Sequence, residues 1–100
     1  MKADIEKAIN MAMSTGKVKM GYKEVSKNVL NGKLKATIVS NNLPRNFEEE
    51  LTRNCELSEI PIIHYDKSGK ELGAACGRPH KVSMIGIINP GNSKILEYIE

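Results

Sequence analysis

Residues 36–39 (Ala-Thr-Ile-Val) form a nearly continuous apolar, β-branched run. Such a run is typical of a central strand that is covered on both faces of its sheet. Apolar residues at helical spacing stand on either side of it, at about 5–13, 22–31 and 47–55, and strand-like segments at 17–20, 60–63 and 82–88 alternate with these helices. This alternation predicts an α/β protein, namely a small three-layer α/β/α sandwich with helices on both faces of the sheet.

The third and last helices carry specific core predictions. Phe47, Leu51 and Cys55 recur at i, i+4 and i+8, which predicts that all three lie on the buried face of the third helix. A closing helix after residues 90–92 is expected to turn three apolar side chains inward, namely Ile95, Leu96 and Ile99.

Two glycine spacings resemble known motifs, but neither indicates a functional site. Gly16 and Gly21 have the spacing of a phosphate-binding loop, but Tyr22 stands where the phosphate-binding lysine belongs. Gly69, Gly73 and Gly77 lie four residues apart, as in some membrane helix pairs. Because this region is predicted to be a loop with a short helix in a soluble protein, we attribute the second spacing to chance.

The length of 100 residues predicts one domain that spans 1–100. The sequence contains no run near the roughly 18–20 apolar residues that a membrane span needs, and the charged Lys2, Asp4 and Glu6 argue against a signal peptide. We therefore expect a soluble, cytoplasmic protein with no membrane partner.

The two cysteines, Cys55 and Cys76, are expected to be free and reduced, since they are few and far apart in a chain with no export signal. Together with His64 and His80 they lack the close ligand pairs of a structural zinc site, so neither a metal nor another cofactor is predicted. A thiol enzyme with Cys76 as nucleophile and His80 or His64 as base remains an alternative. The favoured interpretation makes both cysteines small core residues.

Charge is distributed unevenly along the chain. Residues 1–35 carry eight Lys and three acids, a net charge of +5, whereas 36–60 carry two Arg and five Glu, a net charge of −3. Lys23 and Lys27 lie one turn apart on the second helix, directly after Gly21, and a helix start of this kind can receive phosphates. The basic cluster of the first segment comprises Lys17, Lys19, Lys23, Lys27, Lys33 and Lys35.

The loop at 77–80 (Gly-Arg-Pro-His) is a second candidate surface. The guanidinium of Arg78 can pair with phosphate, and the imidazole of His80 can stack on an unstacked base. The order of helices and strands does not by itself establish that this loop lies beside the second helix.

Five stretches in combination identify a family. They are 15–23 (Thr-Gly-Lys-Val-Lys-Met-Gly-Tyr-Lys), 31–33 (Asn-Gly-Lys), 71–73 (Glu-Leu-Gly), 77–80 (Gly-Arg-Pro-His) and 89–93 (Asn-Pro-Gly-Asn-Ser). Together they resemble the L30e family of ribosomal proteins from the archaeal and eukaryotic large subunit, and the similarity runs over essentially the whole chain. The most specific part is Gly-Tyr-Lys and Leu-Gly followed by Gly-Arg-Pro-His.

The resemblance implies both a fold and a function. L30e belongs to a superfamily, with ribosomal protein L7Ae as a relative, whose members bind kink-turn RNA, a sharply bent duplex, through an α/β/α sandwich with a mixed four-stranded sheet. It therefore implies a structural component of the large ribosomal subunit, not an enzyme, that binds kink-turn ribosomal RNA. Neighbouring large-subunit proteins are further expected partners, and the free protein is expected to be a monomer.

The resemblance also implies a binding site. In such proteins the start of the second helix, the loop after the second strand and the loop before the last strand come together on one edge. By position, eight residues are implicated in RNA binding: Met20, Gly21, Lys23, Lys27, Asn42, Arg78, His80 and Val82. Lys23 replaces the Asn of the sister proteins' Asn-Glu-x-x-Lys pattern, and His80 stands where some relatives have an aromatic residue that stacks on a flipped nucleotide.

A second function of the same class stays open. The chain could serve a guide-RNA or ribonuclease P particle instead of the ribosome, although Gly-Arg-Pro-His favours the ribosomal branch. The thiol enzyme is the alternative from a different class.

Overall fold

The structure, a computed structural model, describes the backbone of residues 2–98 and the side chains of residues 5–98. Within these residues every helix falls short of the length and apolar character that a membrane crossing needs. The elements in chain order are α1 (Lys2–Thr15), β1 (Lys17–Met20), α2 (Tyr22–Leu30), β2 (Ala36–Val39), α3 (Arg45–Leu57), β3 (Ile62–His64), α4 (Gly69–Ala75), β4 (Met84–Asn89) and a 3-10 helix (Ile95–Tyr98).

The strands form one mixed sheet in the order β1-β4-β2-β3. β4 is antiparallel to both β1 and β2, whereas β2 and β3 are parallel. The interior strand β2 is buried at every position, as its β-branched run predicts. β3 directly follows Pro61 and lies at an edge, where a missing backbone N–H is tolerated. The mixed four-stranded sheet that the resemblance implies is confirmed.

Helices cover both faces of the sheet. Ile38 of β2 points into a cluster formed with α1, α4 and the 3-10 helix, whereas its neighbour Val39 points into the cluster under α2 and α3. Ile85 and Met84 of β4 divide between the two clusters in the same way. This division follows from the period of two along a strand. The predicted three-layer α/β/α sandwich is therefore confirmed.

The prediction that Phe47 lies on the buried face of α3 is wrong. Leu51 and Cys55 are almost fully buried, but Phe47 is 38% exposed. The reason is that the first turn of α3 lies at the end of the sheet, beside the β1–α2 junction, so the buried stripe of this helix begins only at Leu51.

Two boundaries near the C-terminus also differ from the predictions. β4 begins at Met84, so Val82 precedes the strand, although its side chain is buried. The expected closing helix is a single 3-10 turn in which Ile95 is buried and Leu96 is half-buried. Ile99, the third residue predicted to point inward, lies outside the described residues.

The spacing of Gly69 and Gly73, which we attributed to chance, has a structural cause. A Cβ atom at Gly73 would run into the carbonyl group of His80, and one at Gly69 would crowd the carbonyl oxygen of Val82 at 3.1 Å. The Val82 N–H in turn donates to the Gly69 carbonyl oxygen at 3.0 Å. Glycine at these two positions lets the α4–β4 loop lie directly against α4.

The stretches around 15–16 and 89–93 close the fold. A Cβ atom at Gly16 would run into the backbone of Asn89 and Pro90, and one at Gly91 would run into Thr15. The Thr15 hydroxyl accepts a hydrogen bond from the backbone N–H of Asn92 at 2.9 Å. These contacts join the end of α1 to the turn after β4. The residues between Gly16 and Gly21 form β1, so their spacing belongs to a strand and not to a phosphate loop.

Candidate nucleic-acid interface

Three chain segments meet at one end of the sheet. The backbone N–H of Gly21, after β1, donates to the Met84 carbonyl oxygen at 3.1 Å. The backbone N–H of Ser40, after β2, donates to the Ser83 carbonyl oxygen at 2.9 Å. The start of α2 and the loop after β2 are therefore both tied to the segment that leads into β4.

A groove of about 480 Å³ lies where these segments meet, and we call it the strand-end groove. Five of the eight residues that the resemblance implicates line it: Met20, Gly21, Asn42, His80 and Val82. Its other lining residues are Tyr22, Leu43, Pro44, Phe47, Lys81 and Ser83. The start of α2 thus lies beside the α4–β4 loop, an arrangement that the order of elements alone left open.

The other three implicated residues lie outside the groove lining. Lys23 and Lys27 are exposed in the first and second turns of α2, and Arg78 is exposed in the α4–β4 loop. Lys17, Lys33 and Lys35 of the basic cluster are exposed as well, whereas Lys19 is half-buried. Apolar side chains thus form much of the groove lining, Lys81 adds a cation to it, and Lys23 directly follows the lining residue Tyr22.

Two helix N-termini border the groove without a side-chain cap. Gly21 precedes α2 and Pro44 precedes α3, and neither residue has a side chain that can hydrogen-bond to the first turn. The first-turn N–H groups of such helices stay available to solvent or a ligand, and they carry the positive end of the helix dipole. Gly21 has φ +91° and ψ 155°, and no atom lies within 4 Å of a Cβ built there, so the chain leaves open space at this point.

Asn42 has a fixed orientation. Its side-chain oxygen accepts hydrogen bonds from the Ser40 hydroxyl at 2.9 Å and from the backbone N–H of Gly69 at 3.1 Å. Within the part of the chain that the structure describes, its Nδ2 group has no hydrogen-bond partner. Asn42 therefore lines the groove and keeps a pair of N–H donors that the fold does not use.

The α4–β4 loop is anchored at the end of α4. Gly77 has φ +76°, and its N–H donates to the Ala74 carbonyl oxygen at 3.0 Å, while the Arg78 N–H donates to the Gly73 carbonyl oxygen at 2.9 Å. This is a Schellman motif, which requires a left-handed residue at its turn. His80 then lies exposed, and its Nδ1 atom lies 3.4 Å from the Lys81 carbonyl oxygen. The loop backbone is fixed, whereas the imidazole faces solvent.

The sequence-based predictions missed an aromatic pair in the groove. The rings of Tyr22 and Phe47 lie with their centroids 4.7 Å apart and their planes at 49°. The Tyr22 hydroxyl donates to Glu50 Oε2 at 2.8 Å, and this hydrogen bond raises the pKa of Tyr22 above its ordinary value. One signal could have revealed Phe47: it stands in the first turn after Pro44, close in sequence to the implicated Asn42.

The thiols have the properties of core residues. Cys76 is 5% exposed, and burial raises the pKa of its thiol to about 11, which the nearby Arg78 guanidinium only partly offsets. Burial also raises the pKa of Cys55, whose sulfur lies 3.7 Å from the Thr37 hydroxyl oxygen. A thiol nucleophile needs a lowered pKa and access to solvent. The geometry therefore gives no support to the thiol-enzyme alternative.

Comparison with known protein families gives one match over almost the whole chain. A family model described as the ribosomal protein L7Ae/L30e/S12e/Gadd45 family matches residues 3–97.

Curated relatives extend this match. A protein of Pyrobaculum islandicum named large ribosomal subunit protein eL30 is 40% identical over 97 residues, which covers 97% of this chain and 96% of the relative. A protein of the same name from Sulfolobus acidocaldarius is 38% identical, and the match covers 100% of this chain and 96% of the relative. Another from Methanocaldococcus jannaschii is 37% identical, and the match covers 97% of this chain and 88% of the relative. A solved structure of a protein with unknown function from Bacillus halodurans C superposes with a TM-score of 0.78 at 25% identity, covering 85% of this chain and 84% of its own.

Proposed function

The chain belongs to the ribosomal protein L7Ae/L30e/S12e/Gadd45 family, and on that premise we propose that it is a component of the large ribosomal subunit that binds a kink-turn of ribosomal RNA. Relatives that match nearly its full length carry the name large ribosomal subunit protein eL30. The family and these names are those of ribosomal proteins and not of enzymes. The observation that carries the proposal is the strand-end groove, which brings the start of α2, the loop after β2 and the α4–β4 loop together.

Electrostatics accounts for the affinity. A kink-turn is sharply bent, so its own phosphates crowd together at the bend. Lys23 and Lys27 on α2, the uncapped N–H groups at the start of α2 and the exposed Arg78 offset that repulsion from the protein side. Each neutralised phosphate releases condensed counterions, so binding weakens as salt is added.

Shape accounts for the selectivity. RNA-binding proteins commonly recognise bases that have left the helix stack, because the deep groove of a regular RNA duplex is closed to side chains. Val82 and Met20 offer apolar surface to such a base, and His80 offers a planar one. Asn42 lines the same groove, and its Nδ2 donors match the acceptor atoms on base edges.

The setting of this function follows from the same proposal. The protein works on the cytoplasmic ribosome, is a monomer when free, and contacts neighbouring large-subunit proteins within the particle. RNA binding of this kind uses phosphate, base and shape contacts and needs no cofactor. Co-sedimentation of the protein with large ribosomal subunits, compared with guide-RNA and ribonuclease P particles, tests the assignment to the ribosome.

A titration tests the RNA specificity. The protein is added to a labelled kink-turn RNA and to a straight duplex of the same length and base composition, over a series of salt concentrations. We expect tighter binding to the kink-turn at every salt concentration. We also expect the logarithm of the association constant to fall by about 0.9 or less, per log unit of salt, for each phosphate neutralised. Equal affinity for the two RNAs would contradict the proposal.

A further inference from the structure

We propose that Tyr22 and Phe47 form an aromatic wall of the strand-end groove that contacts a nucleobase extruded from the bound RNA. This inference rests on the proposed function and deepens it, because it names two residues that contact the RNA in addition to the eight implicated by position. The aromatic wall belongs to α2 and α3, whereas His80 and Val82 reach the groove from the α4–β4 loop.

The exposure of Phe47 is the first observation. It is the single phenylalanine of the chain, and 38% of its surface is exposed although it begins an otherwise buried helical stripe. Its ring packs on Tyr22 at a centroid distance of 4.7 Å, and the Tyr22 hydroxyl is held by Glu50 at 2.8 Å. The pair therefore has a fixed position and keeps aromatic surface open to the groove.

The composition of the groove is the second observation. Its lining combines the aromatic pair with further apolar side chains, among them Leu43, Pro44 and Val82. Its volume of about 480 Å³ falls within the range of about 300–1,000 Å³ that is usual for small-ligand sites. A nucleobase is planar, and it stacks on aromatic side chains whatever its sequence identity.

The charge around the groove identifies the occupant. Lys81 contributes to the lining, Lys23 lies one residue beyond it, and the uncapped N-terminus of α2 opens beside it. An occupant that places flat apolar surface on the wall and negative charge at these groups matches all of them. A nucleobase with its attached phosphate has this chemistry, whereas an apolar peptide leaves the cationic groups unused.

Substitutions at Phe47 test the wall. Base–aromatic stacking contributes about 1–3 kcal/mol per base, so Phe47→Ala and Phe47→Leu should each lower kink-turn affinity by about 5- to 150-fold. Phe47→Tyr keeps the ring and should bind like the wild type. Leu57→Ala is the matched control, because Leu57 is 79% exposed at the other end of the same helix and should bind unchanged.

The salt dependence separates stacking from charge effects. Loss of a ring removes no phosphate contact, so Phe47→Leu should lower the affinity without changing its slope against salt. A Phe47→Leu protein that is folded by circular dichroism and binds the kink-turn as tightly as the wild type would overturn the inference.

Crosslinking locates the base directly. A kink-turn RNA with 5-iodouridine at its extruded position is bound and irradiated, and the crosslinked peptide is identified by mass spectrometry. A crosslink to Tyr22 or Phe47 supports the inference, and crosslinking confined to His80 overturns it. The outcome is distinct from failure of the proposed function, in which the wild type would not distinguish a kink-turn from a straight duplex.

Discussion

Gly73 of α4 lies directly under the backbone of His80, so closely that a Cβ atom at Gly73 would run into the His80 carbonyl oxygen. This contact fixes the distance between the α4–β4 loop and helix α4. Because His80 and Val82 line the strand-end groove from this loop, Gly73 influences the shape of the groove although it is not among the lining residues.

Gly73→Ala is therefore expected to disturb both stability and binding. The added methyl group forces the loop away from α4, and crowding of this kind typically costs about 1–3 kcal/mol. We also expect weaker kink-turn binding, since His80 and Val82 move with the loop. Urea unfolding and RNA titration measure the two effects. Ala74→Ser, at an exposed position of the same helix, is the control and should leave both nearly unchanged.

Alanine substitutions at the two glycines that flank α2 distinguish the effect of backbone strain from an effect on RNA binding. Gly21 and Gly32 both have positive φ, at +91° and +66°, and a Cβ atom at either would meet nothing within 4 Å. Replacement by alanine should therefore destabilise the protein at both sites, by about 1–3 kcal/mol, through backbone strain alone. Only Gly21 lies in the groove, so only Gly21→Ala should also weaken RNA binding at a temperature where both variants are folded. Equal losses of affinity would remove Gly21 from the interface.

Local sequence patterns predicted the layers of this fold but not the groove. A strand that is covered on both faces needs apolar residues at successive positions, and the four residues of 36–39 are enough to show this pattern. The pairing of Gly21 with Met84, and of Ser40 with Ser83, depends instead on β4 lying between β1 and β2. Such long-range pairing leaves no periodicity in the sequence, so the site could be placed only by resemblance to a family.

Phe47 and Gly73 show two further limits of pattern reasoning. A spacing of four residues marks one face of a helix, but it does not show which turns of the helix extend past the end of the sheet. Phe47 lies in such a turn. The role of a glycine depends on which atoms lie against it in the folded protein. For Gly73 these atoms belong to the backbone of His80, which the sequence alone does not place beside it.

The lysines of α2 should control the salt dependence of binding. Lys23→Ala and Lys27→Ala each remove one cation near the groove and should lower the magnitude of the salt slope by about 0.9 or less for a contacted phosphate. Lys94→Ala is the matched control, because this exposed lysine follows the far end of β4. Fluorescence titrations over a salt series measure the slopes. A Lys94→Ala protein that loses as much slope as Lys23→Ala would indicate a non-specific charge effect and not a bound phosphate.

Cys76 should make the protein less stable at alkaline pH. Burial raises the pKa of this thiol from 9.0 to about 11, so the folded state holds its proton where the unfolded state releases it. A group with a raised pKa contributes stability that is fully present below its unfolded value and is lost as the pH rises through its folded value. The loss for Cys76 therefore falls between pH 9 and 11, and a shift of two units corresponds to about 3 kcal/mol.

Urea unfolding at pH 8 and pH 11 measures this effect in the wild type and in Cys76→Ala. Tyr65, whose pKa burial also raises, is present in both proteins and contributes the same alkaline loss to each. Cys76→Ala lacks the thiol proton, so its free energy of unfolding should fall less between the two pH values than that of the wild type. The comparison is made within each protein, which removes the cost of the lost sulfur atom from the difference. Parallel falls in the two proteins would show that the Cys76 thiol titrates alike in the folded and unfolded states.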